Sequence, residues 1–231
     1  MGLAQKKAQE IADELEGWEL FDKLPKQVGS FIYNEGIGIV GKILNICSYV
    51  NEEQHTRLDI TYTDETFDFV PVKTVGLHTF REEKYYSRDR AKFTSMVLEH
   101  LQDILKDIDR SEPHKMDWEA SDLHFESWDY WKTLPQKIGD FELYATPDNP
   151  LNYINGACIF LDYVDFTHGN EFYLSYNYFR NEIYADLVKE NLPLTTPAFD
   201  INSKVDDRKK LDHLTNLLKE KLLPTLEELS K

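Results

Sequence analysis

The sequence predicts an α+β protein made by tandem duplication of a helix–antiparallel sheet–helix unit, with helices packed on one face of each sheet. Three observations predict it. Residues 18–31 return 110 positions later as residues 128–141, with Trp18/Trp128, Leu24/Leu134, Pro25/Pro135, Gly29/Gly139 and Phe31/Phe141 identical in register. Each copy then carries apolar, β-branched runs separated by turn residues, the pattern of antiparallel strands. Each closes on a stripe of apolar residues at helical spacing. The period is far above that of solenoid repeats. The expected division is residues 1–110 and 111–231, with a short seam at 109–112.

The opening helix of the first copy rests on Ala8, Ile11, Leu15, Trp18 and Phe21, which recur at three- and four-residue steps. Trp118, Phe125, Trp128 and Trp131 take the same steps in the second copy, with Ser111-Glu112-Pro113 as its start. Both helices are expected to stop at Leu-Pro, because the residue before proline is pushed out of the α region. Residues 39–50 and 56–63 read as a strand pair joined by a turn over 51–55, and residues 66–72 and 75–86 as further strands. The second copy repeats the plan with strands over 154–166 and 171–178 around a turn at His168-Gly169-Asn170. Residues 181–202 hold Pro193 and Pro197 and read as partly helix or loop. The closing helices rest on Phe93, Val97, Leu101, Ile104 and Ile108, and on Leu211, Leu214, Leu218, Leu222 and Leu226. Ser203-Lys204-Val205-Asp206 has the form of a capping box for the second of them.

Composition excludes several classes of function. Lys and Arg total 26 against 42 Asp and Glu, a formal charge of -16. Such a surface repels phosphate backbones and anionic lipid, so neither direct nucleic-acid binding through phosphates nor a membrane surface is expected. A basic protein partner is the complementary expectation, and mimicry of DNA is a further option that charge alone suggests. Two cysteines, Cys47 and Cys158, are no disulfide framework and read as buried thiols at equivalent positions of the two copies. The first residues lack the apolar stretch of a secretory signal, and no apolar run reaches a membrane span. A cytoplasmic location is expected, and the pattern leaves oligomeric state open.

Motifs for catalysis or cofactors are weak. Gly36-Ile37-Gly38-Ile39-Val40-Gly41 matches G-x-G-x-x-G, but a strand-like run follows where a dinucleotide site needs a helix N-terminus. The glycines read as a hairpin or bulge. No G-x-S-x-G, P-loop, C-x-x-C or H-E-x-x-H occurs, and no cofactor is expected. His55 and His168 fall in matching strand-connecting turns with acids nearby, so His55, His168 and Asp165 are the candidate metal ligands. A solvated polar turn is the competing reading.

Aromatic residues crowd the second copy. Alternation puts Phe172, Leu174, Tyr176 and Tyr178 on one side of a strand and Tyr173 and Phe179 on the other. If one side is core, the other offers tyrosines to a partner, because Tyr gives contact area at low entropy cost. Tyr163, Tyr173, Tyr176 and Tyr178 are the candidate binding residues; the competing reading covers the sheet on both faces. The reading as a whole is a non-enzymatic protein-binding module of inhibitor, immunity or adaptor type with an acidic aromatic surface. The alternative is an enzyme, or a small-ligand or metal-binding protein, with a site between the two repeats.

Overall fold

The computed structural model describes residues 10, 13–15, 17–40, 43–63, 66, 68–111, 123, 125–152 and 156–231. Ala8, Ile11, Trp118, Pro113 and Gly41 of the patterns above lie outside the described residues. The chain divides into two compact units, Met1–Asp109 and Arg110–Lys231. Two antiparallel sheets, of six and seven strands, carry the fold, with few helices.

In the first unit the expected opening helix is interrupted: Leu15 and Gly17 lie in turns and Trp18 is extended, so Leu15, Trp18 and Phe21 do not share one helix, and only α1 (Glu19–Lys23) follows, ending at Leu24-Pro25 as the proline rule requires. The sheet is a meander in chain order: β1 (Gln27–Val28), β2 (Phe31–Val40), β3 (Ile43–Asn51), β4 (Thr56–Thr63), β5 (Asp68–Val75) and β6 (His78–Arg81). β2 is a finding that the sequence reading missed. Its glycines mask a strand, and the register slips between Glu35 and Gly38, so Gly36 and Gly38 mark a bulge within a strand. α2 (Arg90–Lys106) follows, with the Asp89 carboxylate accepting from the Lys92 N–H at 2.7 Å as its N-cap. Phe93, Val97, Leu101 and Ile104 are buried on its inner stripe.

The second unit departs from the expected opening helix. Residues 125–127 and 129–133 form two 3-10 turns, so Trp128 and Trp131 do not share an α-helical face. β7 (Lys137–Ile138), β8 (Phe141–Ala145), β9 (Leu151–Asn152), β10 (Ala157–Asp165), β11 (Asn170–Asn177), β12 (Glu182–Lys189) and β13 (Leu192–Ile201) form the sheet. Its order runs β13-β12-β11-β10-β8-β7, with β9 also on β10. Residues 181–202 are therefore two strands. Pro193 and Pro197 are tolerated because β13 is an edge, where no neighbour needs their missing N–H groups. α3 (Asp207–Leu229) packs on β11 and β13. Ser203 sits in the turn ahead of α3, so the capping-box match does not mark the helix start.

The two units repeat each other in detail. The Trp18 indole N–H donates to Thr94 Oγ1 at 2.8 Å, and the Trp128 indole N–H to Thr215 Oγ1 at 2.8 Å. The Tyr49 hydroxyl donates to the Pro25 carbonyl at 2.7 Å, and Tyr163 to the Pro135 carbonyl at 2.6 Å. Gly29 and Gly139 both hold a left-handed turn, at φ 58° and 61°. β3 carries one extra residue between Asn45 and Cys47 against β4, and β10 one between Ile159 and Leu161 against β11. From that bulge onward a constant shift of 114 relates the strands, so Tyr49 matches Tyr163 and Asn51 matches Asp165. Cys47 then matches Leu161, not Cys158, because four more residues precede the bulge in the second unit.

Candidate functional site: polar clusters and a groove of the second unit

The four-residue turn between β10 and β11 is built around Asp165. Its Oδ1 accepts the N–H groups of Thr167 at 3.0 Å and His168 at 3.1 Å, and its Oδ2 lies 2.7 Å from His168 Nδ1. Burial opposes ionisation of Asp165, but the His168 imidazole and these two N–H groups outweigh it and hold the carboxyl below its ordinary range. Asp165 is buried, while the His168 side chain is 59% exposed. The neighbouring β7–β8 turn brings in Asp140, so that one ligand-type atom each from Asp140, Asp165 and His168 lies within 4.8 Å of the others. Two of the expected metal ligands are thus together. His55 is not with them. Its turn in the first unit matches Gly169, both residues being left-handed, at φ 51° and 68°. The residue matching His168 is Gln54. Asp140 was missed because it stands 25 positions before Asp165; its signal was the repeated Gly-x-Phe turn, where the first unit has Ser30.

The tyrosines divide between two faces as alternation requires. Tyr163, Phe172, Leu174 and Tyr176 lie in the core with Phe125, Trp128 and Phe199. Tyr163 and Tyr176 are fully buried, so neither presents a surface. Tyr178 is partly buried against the same core, edge-on to Tyr176 at 5.3 Å between ring centres. Tyr173 is half-buried on the opposite face, where burial and then the carboxylates of Asp186 and Glu171 push its phenol up. Every position of β10 is buried, so this part of the sheet is covered on both sides.

That opposite face holds an acid pair which the sequence reading did not single out. Asp162 and Glu171 are both buried, on adjacent strands. Neither oxygen of Asp162 accepts a hydrogen bond among the described residues. Burial first, and then the charge of Glu171, raise Asp162 well above the carboxylate range, and Arg110 pulls it back only in part. Arg110 spends its donors elsewhere, on the carbonyls of Asn149 at 2.7 Å, Tyr144 at 3.0 Å and Pro150 at 3.1 Å. The matching positions of the first unit hold Ser48 and Arg57. There Ser48 Oγ donates to Asp59 at 2.6 Å and Arg57 Nη2 donates to Ser48 at 2.9 Å, a neutralised network.

A groove of about 500 Å³ runs between α3 and the β12–β13 edge. Leu187, Leu194, Pro224 and Leu229 supply its apolar lining, and Glu220, Glu228, Lys189 and Lys221 a rim of mixed charge. Leu194 is 44% exposed, and Leu192, two positions earlier on the same side of β13, is 66% exposed. Lys221, also on the groove, donates to the Ala198 carbonyl at 3.0 Å. Pro224 has no N–H, so the Glu220 carbonyl beside it has no donor four residues on.

Both cysteines are buried thiols outside any disulfide, and burial pushes each up to about 12. Among the described residues no helix is long and apolar enough to cross a membrane. No protein family, curated protein or solved structure matches the chain.

Proposed function

We propose that the chain arose by duplication of a sheet-and-helix unit and works as a non-enzymatic protein-binding module, cytoplasmic, of the inhibitor, immunity or adaptor kind. The observation that carries this reading is the groove beside α3. It leaves Leu192 and Leu194 exposed next to an apolar floor, under a rim that includes Glu220 and Glu228. Large apolar side chains exposed side by side are what interaction sites display. Glu220 and Glu228 stand among Lys189 and Lys221 at the groove, so the preference for a partner segment whose apolar anchors are flanked by Lys or Arg rests on the chain's overall charge of -16. The reading moves the binding surface away from the tyrosines, of which Tyr163 and Tyr176 belong to the core. The two thiols, buried and unpaired with each other, suit a reducing compartment.

Selection of a displayed random peptide library on the full chain tests it. Enriched peptides are expected to carry an apolar anchor with flanking basic residues, to weaken with added salt, and to be lost on Leu194→Asp. Enrichment that Leu194→Asp leaves unchanged, or none at all, refutes the reading.

A further inference from the structure

The geometry points to a divalent transition-metal site formed by Asp140, Asp165 and His168 in the second unit, absent from the first. The first unit shows what the same scaffold does without an ion. Its matching residues are Ser30, Asn51 and Gln54. Asn51 Oδ1 accepts the Gln54 N–H at 3.1 Å, as Asp165 accepts that of His168, and Asn51 Nδ2 donates to Ser30 Oγ at 2.9 Å. Asn51, Gln54 and Ser30 are themselves neutral, the Gln54 amide donates to Asp109 Oδ1 at 3.1 Å, and the two strand ends are tied by the Ser30–Asn51 hydrogen bond.

In the second unit that tie cannot form. Asp140 and Asp165 are both acceptors when ionised, and their oxygens lie within 4.8 Å of each other. Like charges at that separation repel where the first unit has an attraction. All three neutral residues of the first unit are matched in the second by residues that ligate metals, at positions 140, 165 and 168. A cation replaces the lost tie with a stronger one. Two carboxylates and one imidazole make a mixed oxygen and nitrogen set, which suits Zn²⁺ and its first-row neighbours more than Mg²⁺ or Ca²⁺. Asp165 is held in place by two backbone N–H groups that do not depend on the ion, so one ligand is fixed beforehand. The imidazole must give up its contact with Asp165 or turn its other nitrogen to the ion. Asp140 and His168 are exposed, which leaves the remaining coordination positions to water or to a ligand from outside.

The exchange that removes the site is already present in the molecule. Asp140→Ser, Asp165→Asn and His168→Gln together install the first unit's residues, and the Asn side chain keeps the turn's hydrogen bond. Calorimetric titration of ZnCl₂ into the metal-stripped full chain is expected to show a site that this triple variant lacks, with the affinity of Asp140→Ser alone reduced about tenfold or more. MgCl₂ at equal concentration is expected to compete poorly. A triple variant that unfolds is replaced by His168→Gln alone, which leaves both carboxylates in place and is expected to weaken Zn²⁺ by a similar factor. Zn²⁺ binding that neither variant alters, or no binding by the unsubstituted chain, overturns the assignment.

Discussion

Asp162 is the residue whose environment opposes its ordinary charge most plainly. It is fully buried beside Glu171, and neither of its oxygens is satisfied among the described residues. Its folded pKa lies above the roughly 3.9 of an unfolded Asp. Its contribution to stability is therefore full below that value and is lost as pH rises through the folded pKa. Asp165 has the opposite sign: its folded pKa is depressed, so its contribution is present above about 3.9 and lost as pH falls. Asp162→Asn is expected to change little in acid and to stabilise the chain by about 1 to 3 kcal/mol in mild alkali, where the native charge is least tolerated. Urea unfolding across a pH series measures this. A gain of the same size at every pH would show that shape, not charge, is at issue. The position is informative because the first unit solved the same problem with Ser48 and Arg57.

Elements explain which parts of the fold could be foreseen. Thr56–Thr63 was legible because Leu58, Ile60 and Tyr62 alternate with polar residues and nothing interrupts them. α2 was legible from its apolar stripe, while its Asp89 cap was not singled out. β2 was not, because Gly36 and Gly38 carry no side chain from which to read a period, and a bulge breaks the count. The 3-10 turns around Trp128 kept the aromatic spacing of a helix but not its geometry, since tertiary packing of Phe125 and Trp128 against Phe160 decides the backbone there. Of the candidate site, His168 and Asp165 could be named from one turn, whereas Asp140 needed the register of β7 against β8. β13 was hidden by its prolines, and β12 with it; those prolines are informative in a different way. Pro193 lies opposite Val188 in the regular part of the β12–β13 pairing, and Pro197 falls just where the register slips between Thr196 and Ile201. They leave the open side short of donors and so blunt an edge that could otherwise recruit a second chain. Pro193→Val with Pro197→Val is expected to shift the protein toward dimers or larger species in light scattering. A variant that stays as dispersed as the original would show that the edge is protected by something else.

At the scale of the molecule, the two units share one plan and have diverged in polar detail. The tryptophan–threonine and tyrosine–carbonyl bonds are kept, and twice they tie the segment just ahead of the Leu-Pro turn to the long helix and a central strand to that turn. At four matched positions the charge differs. Neutral or compensated groups in the first unit stand opposite acids in the second, at Ser48/Asp162, Arg57/Glu171, Ser30/Asp140 and Asn51/Asp165. Such differences leave the shared scaffold bonds in place while changing what the two units offer at matching positions.

The thiols give each half its own clock. The chain has two cysteines, Cys47 on β3 and Cys158 on β10, each buried in an inner strand of a different sheet. A thiol held protonated by burial reacts with an alkylating reagent only when its strand opens. Exposure to iodoacetamide followed by peptide mass spectrometry is therefore expected to yield two separate opening rates from the unaltered chain. Equal rates under all conditions would mean that the halves open as one, and diverging rates would show which half yields first.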